Sequence, residues 1–144
     1  MMENNFKLKT FLVVMLLTSI WIHIAEIARA MLVAFPMMEA FYAGRIEIGQ
    51  MGISNAIIWG IWDTILAATL VFIYWLCMPA FGKGRKSIVI AATVTCMATL
   101  GVFWIGSVNS GLGTWEMAFT LVPIAWAEML VGAFIAATLY DKVG

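Results

Sequence analysis

The chain has 144 residues, of which 64% are hydrophobic and 11% charged, and its mean hydropathy is +1.01. Soluble domains average about 25% charged residues, so water cannot be the sole solvent here. A formal net charge of zero and the absence of a long basic run carry no nucleic-acid signal.

A helix needs roughly 20 apolar residues to cross the hydrocarbon. Four such stretches fit the chain, joined by short connections that leave no room for a separate soluble domain. Lys7 and Lys9 precede the first apolar run, and Ala28-Arg29-Ala30 imitates the small-residue cleavage site of a secretory signal. The run continues past that site to Phe35, so it is expected to be retained as a first span, residues 10–34. Proline opens a helical turn but interrupts an existing one. PMMEAFYAG (36–44) is therefore predicted to be a short interfacial helix, with Phe41 and Tyr42 at headgroup level and Gly44 as its C-cap. RIEIGQMGIS is a connector. The second span is predicted at 55–78, stopped by Pro79. The short basic loop AFGKGRKS follows, and it lacks the G-x-x-x-x-G-K-[ST] spacing of a phosphate loop. The third span is predicted at 88–105, followed by the turn-rich SVNSGLG. The fourth is predicted at 118–140, with Pro123 in its first turns, where a missing donor does least harm. The expected fold is an all-α integral membrane four-helix bundle, a single domain over residues 1–144.

Charge orients the bundle. Lys7, Lys9, Lys83, Arg85, Lys86 and Lys142 fall on one side of a four-span arrangement and Arg45 on the other. The positive-inside rule then places both termini in the cytoplasm, and a prokaryotic cytoplasmic membrane is the expected location. Cys77 and Cys96 match no metal-binding spacing and read as buried thiols. Small residues recur four apart: Ala133 with Ala137, Gly132 with Ala136, and Ala91, Thr95 and Thr99 in turn. Such rows let helices approach closely in lipid, within one chain or between copies.

The informative residues are the charges inside the spans. WIHIAEIARAML (21–32) places His23, Glu26 and Arg29 at successive three-residue steps. Counting 1.5 Å per residue from Thr10 puts His23 about 20 Å up the span, Glu26 about 24 Å and Arg29 about 28 Å, near the outer boundary. On the same scale Asp63 lies about 12 Å below the outer end of span two, and Glu128 about 15 Å below that of span four. Three spans thus bring ionisable groups to similar heights. Charges at such depth usually face the bundle interior or a wet cavity. Ser19, His23, Glu26 and Ala30 share one helix face, Trp59 and Ala67 share one with Asp63, and Ile124 and Gly132 share one with Glu128. Glu26 pairs with Arg29 one turn away, which leaves Asp63 and Glu128 without an evident cation.

A carboxyl lacking a cation can take up a proton, which suits proton coupling or cation binding, with His23 as a relay. The same groups can instead join helices by hydrogen bonds worth about 0.6 kcal/mol each. His23, Glu26, Asp63 and Glu128 are weak candidates for one metal ion. A di-metal bundle would require two Glu-x-x-His pairs, and the chain has one histidine. Trp21, Trp59, Trp62 and Trp126 lie nearest the acids and form a candidate aromatic pocket for an organic cation. Trp75 with Tyr74, Trp104 and Trp115 are expected in interfacial belts. No cofactor is indicated, and no nucleophile–base constellation points to an enzyme.

AWAEMLVGAFIAATLY on the fourth span and Trp21-Ile22-His23 on the first resemble small four-span bacterial membrane proteins grouped as domains of unknown function. The resemblance covers about two helices and implies architecture alone. Two functions follow from the residues. One is a small, oligomeric transporter or channel-like protomer, moving a proton or cation through Glu128, Asp63 and Glu26, with His23 as relay and Arg29 as counter-charge. The other is an accessory or assembly subunit of a larger membrane complex, its polar groups serving as contacts.

Overall fold

The computed structural model describes residues 6–45 and 52–143, and every regular element among them is helical. In chain order these are α1 (Leu8–Arg29), a π-helical turn (Ala30–Ala34), α2 (Phe35–Tyr42), α3 (Ile53–Phe81), α4 (Arg85–Cys96), a second π-helical turn (Met97–Gly101), α5 (Val102–Asn109) and α6 (Trp115–Val143). They join into four rods, Leu8–Tyr42, Ile53–Phe81, Arg85–Asn109 and Trp115–Val143, each long and apolar enough to cross a membrane. The shortest, at 25 residues, reaches roughly 37 Å, more than the ~30 Å of hydrocarbon.

The rods overrun the predicted spans wherever proline was read as a boundary. Pro36 does not detach an interfacial helix, because α2 continues the first rod. The π turn just before it shifts the hydrogen-bond register, and Pro36 falls in the first turn of α2, where its missing N–H is least costly. Pro79 lies inside the last turn of α3, so it costs one bond near the end of the helix. The helix ends instead at Gly82, whose φ of +79° suits glycine and whose N–H bonds to the Met78 carbonyl. Pro123 sits in the third turn of α6 and faces outward. Most of the RIEIGQMGIS connector, residues 46–51, lies outside the described residues.

α1 packs on α3 and α6, α4 packs on the same two helices, and α3 and α6 touch across the centre. The turns at 82–84 and 110–114 are short, which makes their flanking rods antiparallel neighbours. One end is tied by an edge contact of Phe6 on Trp75 (5.0 Å), by Tyr74 Oη donating to the Lys83 carbonyl (2.9 Å), and by the exposed Lys83–Asp141 ion pair (3.0 Å). At the other end Trp104, Met117 and Leu121 pack against Met37, Met38 and Phe41, and Tyr42 Oη donates to the Leu112 carbonyl (2.6 Å). Tyr74 and Trp104 are therefore core residues rather than belt residues, while Trp115 is exposed.

The small-residue rows are consumed inside the chain. Gly132, Ala133, Ala136, Ala137, Ala91 and Thr95 are all buried between neighbouring helices. A Cβ at Gly132 would lie 2.9 Å from Leu70 Cδ2 and 3.0 Å from Ile22 Cδ1. Gly132→Leu should therefore destabilise the bundle by about 1–3 kcal/mol through overpacking. Gly132→Ala should cost less, because the atoms it meets are flexible side-chain ends. Equilibrium unfolding in mixed micelles measures both, and equal stability of Gly132→Leu and wild type would contradict the packing. The outer surface is apolar, with Ile24, Leu32, Ile58, Phe119 and Phe134 all exposed.

Candidate functional site

Arg29 organises the interior of the bundle. Glu26 and Arg29 stand one turn apart on α1, and their side chains meet as an ion pair, Nη2 to Oε1, at 2.5 Å. The same guanidinium reaches across to α6, where its Nε donates to Glu128 Oε2 at 3.1 Å. The side chains of Arg29, Glu26 and Glu128 are only 7%, 10% and 11% exposed. Glu128 thus has a cation, contrary to the sequence expectation. The reason is the forked guanidinium, whose Nε and Nη donors can serve carboxylates on two helices at once. Arg29 itself is buried, well before the end of the first rod at Tyr42. Glu26 and Glu128, from two helices, thus both contact the one guanidinium.

His23 lies half-buried one turn before Glu26. Its Nδ1 is 2.6 Å from the Ser19 carbonyl oxygen on its own helix, and its Nε2 is 3.2 Å from the Gly60 carbonyl oxygen on α3. Asp63, one turn beyond Gly60, is 4% exposed. Among the described residues its carboxyl has neither a hydrogen bond nor an ion pair, and the charges acting on it are Glu26, His23 and Arg29. The five ionisable side chains named from the sequence therefore share one interior region, contributed by α1, α3 and α6. The third rod, Arg85–Asn109, adds no charge there. It brings the buried Cys96 thiol, which feels Arg29, Glu128 and Glu26 and donates from Sγ to the Val122 carbonyl (3.7 Å). Among the described residues, the hydroxyl oxygens of Thr18 and Thr95 are buried without hydrogen-bond partners.

The four tryptophans do not close around this region together. Trp21 is part of it, donating from Nε1 to the Glu128 main-chain carbonyl at 3.0 Å and so clamping α1 to α6 beside the ion pairs. Trp62 is partly buried, between Trp59 (6.1 Å) and Phe103 (6.3 Å). Trp59 and Trp126 are 47% and 38% exposed, and Trp126 Nε1 donates to Thr93 Oγ1 near the surface (2.9 Å). Trp21→Phe should cost about 1 kcal/mol, one hydrogen bond's worth, with the ring packing kept. Equilibrium unfolding checks this, and a loss of several kcal/mol would show that the ring does more than clamp.

Among the described residues no group of three or more His, Cys, Asp or Glu is arranged to hold a metal ion. Sequence reasoning missed the two carbonyls that receive His23 and the Trp21 clamp, since main-chain partners on another helix leave no residue-type signal. It also missed the π turns, which begin directly after Arg29 and directly after Cys96. Such wide turns often occur at functional sites. The chain matches no protein-family profile, no curated protein and no solved structure.

Proposed function

We propose that this chain is a single-domain, four-span protein of a prokaryotic cytoplasmic membrane and works as a small proton-coupled transporter or channel-like protomer. The observation that carries this reading is the convergence of His23, Glu26, Arg29, Asp63 and Glu128 from three helices into one buried region. Taking even a paired charge out of water costs several kcal/mol. Joining helices needs no such outlay, since neutral side chains achieve it with single hydrogen bonds. Ionisable groups held at membrane depth characterise proton and ion pathways. The accessory-subunit reading draws less support, because the small-residue rows that would serve a partner are buried within the chain.

Proton flux into sealed liposomes loaded with a pH-sensitive dye tests the proposal. Liposomes containing the protein should equilibrate an imposed pH gradient faster than empty ones, and equal rates would contradict transport.

Orientation is part of the proposal. The end of the bundle bearing Lys7, Lys9, Lys83, Arg85, Lys86 and Lys142 faces the cytoplasm, and Arg45 faces away. In a background lacking native cysteines, Lys83→Cys should react with an impermeant thiol reagent only after the membrane is opened, and Arg45→Cys should react in intact cells. The reverse pattern would invert the topology.

A further inference from the structure

We propose that the cluster holds one resident proton between the carboxyl groups of Glu26 and Glu128, while His23 stands as an imidazolium answering Asp63. The proposal rests on the reading of this region as a proton-coupled centre, and it names the species held there and its seat.

The histidine comes first. Both of its ring nitrogens face main-chain carbonyl oxygens, Ser19 at 2.6 Å and Gly60 at 3.2 Å. Carbonyls only accept, and a neutral imidazole has a single N–H, so one of these contacts would then set acceptor against acceptor. The doubly protonated ring donates to both. Asp63 is the buried acid without an ion-pair partner among the described residues, and it stands one turn beyond Gly60, whose carbonyl faces His23 Nε2. The site therefore uses one cation for Asp63 and the other, Arg29, for two glutamates.

That leaves three acids against two cations. The excess falls on the glutamate pair, because both of its members lean on one guanidinium. The pair also faces Asp63 from α3 and the Cys96 thiol from α4, neither of which brings positive charge. Two ionised carboxylates are acceptors only and repel at close range, and Glu26 and Glu128 are both drawn onto one buried guanidinium. A proton between them turns that repulsion into a hydrogen bond and brings the five-residue cluster to zero net charge. The proton comes from water on loading and returns to water on release, so no other reactant is involved.

Infrared and solid-state NMR spectra of the full-length protein in lipid bilayers near neutral pH test this. The wild type should show a protonated-carboxyl C=O band that shifts in heavy water. That band should be lost in Glu26→Gln and in Glu128→Gln and kept in Asp63→Asn. If a variant fails to fold, wild-type protein labelled with ¹³C only in glutamate side chains decides alone, since one protonated glutamate signal should appear. A ¹⁵N-labelled His23 should show two protonated ring nitrogens. A band lost only in Asp63→Asn, glutamates that are all ionised, or a neutral His23 ring would each overturn the proposal. A protonated glutamate pair in a protein that moves no protons would support this inference and end the transport reading. Proton flux with both glutamates ionised would do the opposite.

Discussion

Arg29→Met should destabilise the bundle by about 3–5 kcal/mol, the usual cost of stranding buried charge by removing its partner. Methionine keeps most of the length and the apolar stem of arginine, so the loss falls on the charges. Glu26 and Glu128 would then share a buried site with no cation touching either one. Arg29→Lys should recover only part of the loss, because an ammonium is a single point and cannot present the fork that spans two helices. Adding Glu26→Gln and Glu128→Gln to Arg29→Met should restore stability, since it removes the stranded acids. Equilibrium unfolding in mixed micelles reads all four proteins. An Arg29→Met variant within about 0.5 kcal/mol of wild type, the range of ordinary surface substitutions, would mean that the bridge is idle.

Glu128→Gln should leave the bundle folded and reduce proton flux by about 100-fold or more, the scale on which a positioned proton-transfer group contributes. Glutamine matches the shape of glutamate, and its amide oxygen can still accept from Arg29 Nε. Packing around it is unchanged, and Trp21 still reaches the main-chain carbonyl of residue 128. What is lost is the ability to take up and release a proton. Dye-loaded liposomes give the flux and unfolding gives the stability. Full flux with unchanged stability would show that Glu128 belongs to no proton path.

The four rods were legible because composition and hydropathy answer to the solvent, and lipid leaves the chain few alternatives. The ends of the rods were less legible. Pro36 and Pro79 are helix breakers in an interior but harmless beside a π turn or in a last turn, and only the three-dimensional register distinguishes these cases. The meeting of His23, Glu26, Asp63 and Glu128 at one height followed from helical rise alone. How they pair did not. Local spacing assigned Arg29 to Glu26 and left Glu128 bare, because sequence distance is blind to the 99 positions that the Arg29–Glu128 hydrogen bond spans. The tryptophans were overread for the converse reason. Trp59 stands one turn before Asp63 on the same face, yet the first turns of α3 are largely exposed and burial begins only at Asp63.

On the proposed reading, these charges are kept in the membrane interior to handle a proton rather than to hold helices together. The most direct test is the combined variant Glu26→Gln, Arg29→Met, Glu128→Gln, with flux and unfolding measured on the same preparation. Neutralising a whole buried ion cluster is often neutral or stabilising, unlike breaking it. The triple variant should be at least as stable as wild type and conduct no more protons than empty liposomes. A stable variant with wild-type flux would contradict that reading.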